Sequence, residues 1–452
     1  MSIATKPRSA IAVKVAEQFD ATPRRLRTAL IASIFVAVIM AIGAYSTYTS
    51  IQSTVQTVGR DAAPSIIAAD HIQALLADAN ASAVNAVLQK DGPNGPSWTQ
   101  YRSDINKAHD ELVTASQNIT YGDQERVPIL TMESKLSEYE YTMGQAFANN
   151  STDTLTAGNA IFRQYIQPAS VALEKANASH LNQKYMDHRG VIGWRTVIVW
   201  LFLLLLLGVF VGIQVYLFRQ MHRVMNIGYA VATILSLILL IYTGITLNSG
   251  EAQLVAAKQN SFDSINPLWA ARATSYVMNA DESLYLLHSG NADVLAKDEA
   301  DYTNYAQLIT AVAPQKAVTY AKSGVAFGGY LGIELSNITY PGERDAAIAA
   351  VNAWAAYTDI DTQIRQLLVQ GNYQQALALD LGNNVGQSNY AFAQFDTALG
   401  QVIAINQHYF DQQIRDADAL LRPFPFVLFG SLLAIIAACV YGMKPRLDEY
   451  VF

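Results

Sequence analysis

The chain has 452 residues, 51% of them hydrophobic, and 37 acidic against 30 basic side chains give it a net charge of −7. An acidic balance argues against nucleic acid as a partner. The single cysteine, Cys439, excludes an internal disulfide framework.

Residues 1–27 form a basic N-terminus carrying Lys6, Arg8, Lys14, Arg24, Arg25 and Arg27. Residues 28–48 follow without a single Asp, Glu, Lys or Arg, and the same holds for 196–218, 224–247 and 423–443. Each run is about 20 residues or longer, enough to cross a hydrocarbon layer of roughly 30 Å as a helix. The first run is long for a signal peptide and its pattern recurs inside the chain, so it reads as an uncleaved anchor. The runs delimit a first polar segment (49–195), a short link (219–223), a second polar segment (248–422) and a tail (444–452). Arg219 and Arg223 in the link and Lys444 and Arg446 in the tail join the N-terminal cations, and the positive-inside rule places all three pieces in the cytoplasm. These pieces hold ten basic residues and four acids (Glu17, Asp20, Asp448 and Glu449), which leaves 20 basic and 33 acidic residues to the polar segments. The expected fold is all-α: a four-span plasma-membrane protein with both termini cytoplasmic and two extracytoplasmic four-helix-bundle lobes that arose by internal duplication.

Within the first polar segment, Ala68, Ile72, Leu76, Ala79, Ala83 and Ala86 recur at helical spacing, which predicts a helix over 62–90. Asp91 to Pro96 breaks it. A second helix is expected over 97–118, a turn over 121–128, and a third helix to about 148. Residues 149–153 supply turn and cap residues before a fourth helix, 155–189. Long, short, short, long is the pattern of an up-down-up-down bundle whose outer helices continue the spans. The second segment predicts helices over 249–287, 294–322 (interrupted at Pro314), 344–369 and 373–421. The Gly-rich stretch Ser323–Gly332 and the turn at Pro341 and Gly342 separate the middle two. The Ala-Asp pairs Ala77-Asp78 and Ala280-Asp281, each at the same interval after Pro64 or Pro267, are a local echo of the duplication.

No catalytic or metal constellation stands out. The histidines His71, His109, His180, His188, His222, His288 and His408 are scattered, none in the paired helical spacing of a zinc site, and no phosphate loop or nucleophile elbow occurs. The expectation is a protein that is not an enzyme and takes no cofactor. Candidate binding residues form a polar stripe on the first predicted helix, His71, Asp78, Ser82, Asn85 and Gln89, interrupted by Leu75. The stripe reads either as a solvated edge or as a polar layer that binds a ligand or sets packing register. Tyr141, Trp354 and Tyr357 read either as bundle packing or as a docking surface. Phe327 and Tyr330, in the Gly-rich insertion, read either as part of a connector or as a docking loop. In the second span, Gly208 and Gly212 have the small-xxx-small spacing that lets membrane helices approach closely.

Several short sequences together resemble a known family. Leu76-Ala77-Asp78-Ala79-Asn80-Ala81-Ser82-Ala83, Tyr101-Arg102-Ser103-Asp104-Ile105, Tyr141-Thr142 and Ala148-Asn149-Asn150 are similar to the actinobacterial GlnX membrane proteins. So are Trp354, Tyr357, Ile364-Arg365, Leu367, Gly371-Asn372-Tyr373-Gln374-Gln375-Ala376 and the ending Lys444 to Tyr450. The family's usual Asp-Ala-Asp reads Asp78-Ala79-Asn80 here. The resemblance implies external helical lobes of the four-helix sensor kind. It also implies a relay between an exported glutamine-type solute-binding lipoprotein and a soluble Ser/Thr kinase, reporting external aspartate or glutamate.

The expected function is therefore a non-enzymatic relay of an extracytoplasmic amino-acid signal, received through the lipoprotein and passed to a cytoplasmic kinase or scaffold, in a chain that can also homo-oligomerise. Two alternatives stay open: lobes that bind a small molecule directly, and a structural or assembly protein of the envelope. A polar pocket between helices favours direct sensing, and an exposed apolar patch favours a protein partner.

Overall fold

The computed structural model describes residues 10–120, 122–221 and 225–449. Lys6, Arg8, Tyr121, His222, Arg223 and Tyr450 lie outside the described residues, as do the side chains of Lys14, Glu17 and Asp20. The described residues are helical, with no strand among them. In order they are α1 (Ala10–Gln56), α2 (Ala63–Gln89), α3 (Pro96–Gln117), α4 (Asp123–Asn149), α5 (Thr152–Ile161), α6 (Gln167–Met221), α7 (Ile227–Ala256), α8 (Asp263–Leu287), α9 (Ala292–Ile309), α10 (Pro314–Ser323), α11 (Tyr330–Ser336), α12 (Glu343–Val369), α13 (Tyr373–Asp380), α14 (Ser388–Leu421) and α15 (Phe424–Asp448). Three π turns, Thr57–Ala62, Phe162–Ile166 and Ala257–Phe262, join α1 to α2, α5 to α6 and α7 to α8 without a break. Four helices, Pro23–Gln89, Thr152–Arg219, Ile227–Leu287 and Ser388–Asp448, are long and apolar enough to cross a membrane.

Local chemistry sets the ends. Lys90 and Asn150 adopt the left-handed conformation that closes α2 and α4. The Asp91 carboxylate accepts from the backbone N–H of Ser97 (2.9 Å) and Trp98 (3.2 Å), which opens α3. Ser151 caps α5 through Thr154 N (3.2 Å), a bond of a kind worth about 1 kcal/mol. Pro314 stands at the first turn of α10, where its missing N–H costs nothing. Two boundaries differ from expectation. Pro128 lies inside α4 rather than in a turn, because the carbonyl it leaves unpaired, that of Gln124, sits in the first turn of the helix. The expected helix 373–421 is broken at 381–387, where Gly382, Asn383, Asn384 and Gly386 (φ +87°) supply turn chemistry.

The chain forms two compact units. The apolar unit holds residues up to Val55, Tyr185–Leu254 and everything from Arg415. Its interior is made by Met40, Ala44, Leu203, Phe210, Tyr229, Leu428 and Ile435, while Ile31, Phe35, Leu201, Leu204, Ile234, Ile238 and Leu433 point outward. Large apolar side chains turned out along all four helices make a surface suited to lipid. Two polar contacts cross between its helices: Asn226 donates to the carbonyl of Gly442 (2.7 Å), and Ser33 meets the Tyr229 hydroxyl (3.3 Å). The closest backbone approach is at Gly228, where a Cβ would fall 2.5 Å from Gly442 Cα and from Ala438 O. Gly208 and Gly212 do not serve this purpose: both are exposed, and a Cβ at either would meet nothing within 4 Å. At the other end of this unit, His188 of α6 is buried between Glu251 of α7 (2.7 Å) and Ser50 of α1 (3.3 Å). Beside it Gln52 of α1 donates to Asp418 of α14 (2.9 Å), so polar pairs tie all four helices together.

The polar unit, Gln56–Lys184 with Val255–Ile414, gathers both polar segments into one body. Helices α2 and α8 pack along each other at its centre. Ile72, Leu76 and Val84 of α2 share a core with Tyr101 and Ile105 of α3, Leu136 and Tyr139 of α4, Phe162, and Val277 and Leu284 of α8. From Ala74 to Val87 every residue of α2 but Asp78 is buried, so the helix is enclosed on nearly all sides, and its alanines let neighbours come close. Enlarging one of them, Ala83→Leu, would overpack the core at about 1–3 kcal/mol.

Candidate ligand-binding cleft

The enclosure of α2 decides the fate of the polar stripe. It is no solvated edge: Ser82 and Asn85 are buried, and His71, Asp78 and Gln89 are half-buried. Its members go to different places. Asn85 accepts from Ser283 of α8, whose Oγ lies 2.9 Å from Asn85 Oδ1 and 2.8 Å from Asp380 Oδ2. Burial pushes the Asp380 carboxyl up to about 7. Gln89 donates to the carbonyl of Leu381 (3.3 Å). Asn80 points into the core, donating to Asn159 (2.9 Å) and accepting from Tyr139 (3.3 Å). The two positions of the Asp78-Ala79-Asn80 motif therefore face different surroundings.

His71 and Asp78 meet in a cleft of about 300 Å³ between α2 and α3 on one side and α8 and α14 on the other. Its walls are His71, Ala74, Leu75, Asp78, Gln100, Asp104, Lys107, Trp269, Arg272, Tyr276 and Asp396. Asp78 and Asp104 both stand on the α2 and α3 wall of the cleft. Burial, and then the Asp104 charge, hold the Asp78 carboxyl well above the usual carboxylate range. Gln100 bridges the pair, 2.8 Å from Asp104 and 3.4 Å from Asp78, and Ser82 donates to Asp78 (3.4 Å). Lys107 reaches Asp104 from the rim (3.3 Å). Across the cleft Arg272 makes a two-pronged pair with Asp396, Nε and Nη2 each 2.7 Å from a carboxylate oxygen. The Arg272 guanidinium lies 5.3 Å from the Trp269 ring. Burial opposes its charge, but Asp396 outweighs burial and raises its pKa. The Tyr276 hydroxyl is pushed up by burial and by Asp78 and Asp396. His71 is held by Glu111 (2.8 Å) and tilts against Trp269.

The other sequence candidates are elsewhere. Trp354 and Tyr357 are fully buried, not a docking surface: Trp354 donates to Thr310 Oγ1 (3.2 Å), and the two rings pack on Phe395 and Phe392. Tyr141 is 71% exposed on α4. The Gly-rich insertion is folded back, with Ala311 N donating to Gly328 O (2.9 Å). Phe327 and Tyr330 are half-buried there, and Gly332 lies against the Phe327 carbonyl with no room for a Cβ. The cleft residues not foreseen as site members are Gln100, Asp104, Lys107, Trp269, Arg272, Tyr276 and Asp396. Arg272 carried a signal, as the lone basic residue of a helix whose neighbours are apolar or small.

A larger cavity of about 500 Å³ opens between α2, α3, α4 and α6, near Arg60, Ser65, Thr120 and Asn177. It brings fewer converging charged groups together than the cleft. Among the described residues no three His, Cys, Asp or Glu side chains gather as a metal ion would require.

Residues 54–186 match the family model of an actinobacterial sensor domain. The α2 and α3 wall of the cleft lies inside that stretch, and the α8 and α14 wall outside it. No curated protein and no solved structure matches the chain.

Proposed function

We propose that this chain is a non-enzymatic membrane sensor in which the polar unit, held outside the cell, binds a small ligand in the cleft itself. The signal passes through the spanning helices to a cytoplasmic Ser/Thr kinase or scaffold. The observation that carries the reading is the cleft: a walled site with converging charged groups and a strongly perturbed carboxyl, partly built from the stretch similar to a sensor domain. Orientation follows from the cations flanking the apolar runs. Each of the four helices runs unbroken, or with one turn, from polar to apolar residues, and such stiff elements carry small displacements over distance. The repeated order of apolar helix, π turn and central helix in α1–α2 and α7–α8 supports an internal duplication.

A second reading, input through an exported solute-binding lipoprotein carrying an amino acid, has its own observation. Tyr141 stands 71% exposed on α4, an aromatic side chain of the type favoured where proteins dock, and Val127 and Leu130 are exposed nearer the start of the same helix. Photo-crosslinkers placed at Tyr141 and at Lys444 in the full chain in cells test both. Capture of a kinase or scaffold at Lys444, at a yield that changes with an external metabolite, is the expected result. Capture of a lipoprotein at Tyr141 would favour the second reading. Yields at Lys444 that stay constant under every external condition, with only envelope-assembly proteins captured, would remove both.

A further inference from the structure

We propose that α13 and the turn after it form a proton-operated latch, closed on α8 and α12 while the Asp380 carboxyl is neutral and open when that carboxyl ionises. Asp380 is no part of the cleft walls, and the latch does not depend on what the cleft binds. Helix α13 has eight residues and packs on α8 and α12. Gly371 (φ +80°) and Gly386 (φ +87°) stand in the turns on either side of it. Only Ala376 and Asp380 of α13 are buried; Tyr373, Leu377 and Leu379 are half-buried and the other three residues are exposed. A helix seated on so little apolar surface depends on the state of the one polar group beneath it.

Asp380 is 1% exposed and is the last residue of α13, at the negative end of the helix dipole. Its Oδ2 accepts from Ser283 of α8 (2.8 Å), and it makes no ion pair among the described residues. The elements packed around it supply no countercharge. From α8 comes Glu282, an acid as deeply buried as Asp380. From α12, Arg365 is committed through Nε to Asp361 (2.8 Å), with the Tyr285 and Tyr302 rings 4.1 and 4.4 Å from its guanidinium carbon. Tyr357 of α12 faces Glu282, and Tyr373 of α13 faces Asp380. Helices α2 and α14 bring uncharged groups: Gln89 and Asn389 donate to the Leu381 carbonyl (3.3 and 3.1 Å), and Asn85 meets Ser283 (2.9 Å). A negative charge on the closed latch would sit in a dry place among acids, whereas lifting the end of α13 puts it in water. Burial holds the Asp380 carboxyl up at about 7, from 3.8, in the closed form. The closed form therefore keeps a proton that the open form releases. Closure is strongest below about pH 3.8 and weakens until pH passes about 7.

The test is amide hydrogen exchange read by mass spectrometry on the full-length chain in lipid nanodiscs, with each rate divided by that of the unstructured peptide at the same pH. From about pH 5 to 6.5 the protection of α13 is expected to fall about tenfold per pH unit, the slope of one proton. It should level off above about 7, while α3 keeps its protection throughout. Asp380→Asn keeps the size of the side chain but cannot ionise, so its α13 protection should not change with pH. Ser283→Ala removes a donor that favours the carboxylate, so the fall should run on past pH 7. Glu282→Gln should keep the parent's slope. Constant α13 protection in the parent, an equal fall in α3, a parent-like slope in Asp380→Asn or a slope lost in Glu282→Gln would each overturn the latch. Should Asp380→Asn fail to fold, Ser283→Ala decides: levelling off at the parent's pH overturns the latch as well. Any of these outcomes leaves the sensor reading standing, since that reading fails only if the Lys444 crosslinks ignore every external condition.

Discussion

Glu334 of α11 and Glu343 of α12 are both fully buried and near each other, and each has an oxygen with no partner among the described residues. Glu343 spends its other oxygen on the backbone N–H of Thr339 (2.6 Å) and Tyr340 (2.8 Å), while Glu334 accepts from Asn406 (3.3 Å). Burial, then the Glu343 charge, push Glu334 up to about 8 from 4.5. The folded protein therefore binds a proton there that the unfolded chain releases above pH 4.5. This contribution to stability is complete below pH 4.5 and is lost as pH rises through about 8. Glu334→Gln should flatten the dependence of melting temperature on pH between 5 and 8 and raise the melting temperature at pH 8. A variant whose melting curve keeps the parent's pH slope would refute this. Single residues such as these were the least readable part of the sequence. An Asp or Glu on a helix looks like a solvated face until the neighbour that covers it is known, and here the cover comes from residues far along the chain. His71 and Asp78 were readable as a pair because they lie on one helix. Arg272 and Asp396, which complete the cleft, do not.

At the level of elements, most helices could be read from periodicity and punctuation, and the failures have physical causes. The stretch Gly382-Asn383-Asn384-Val385-Gly386 carried turn chemistry, but the helical periodicity on either side masked the break. Small-residue spacing pointed to Gly208 and Gly212, yet spacing within one helix does not say which face meets another. The close approach is a pair from two helices, Gly228 and Gly442. The expected outcome of Gly228→Leu is loss of the folded apolar unit, seen as a drop of several degrees in the melting temperature of the solubilised protein, whereas Gly208→Leu should leave it unchanged. Equal effects of the two would show that the glycines are interchangeable. The polar layer of His188, Glu251 and Ser50 makes a second expectation: His188→Leu should weaken any response at Lys444 to external ligand while leaving ligand binding in the cleft intact, because the layer joins α1, α6 and α7 and is not part of the cleft.

For the molecule as a whole, the alternation of apolar and polar stretches suffices to find the four helices long and apolar enough to cross a membrane. It does not say whether the two polar segments fold apart or together. The polar residues of α2 and α8 read as sides facing water, yet almost every position in the middle of both helices is buried. Each segment uses the other's central helix as part of its core. The polar unit should accordingly unfold in one transition by calorimetry, and a fragment holding only residues 49–195 should bind a hydrophobic dye that the full chain does not. Two separated transitions in the full chain would contradict the shared core.

The π turns at Thr57–Ala62 and Ala257–Phe262 fall at matching joints, where α1 passes into α2 and α7 into α8. A π turn stores one residue beyond α-helical winding, about 100° of phase. Each joint thus holds a spare notch of rotation, like slack left in a wound thread. Gly59, pressed against Ile414, leaves no Cβ in the way of its release. A helix with such a notch can answer a push at one end by turning rather than by bending or breaking.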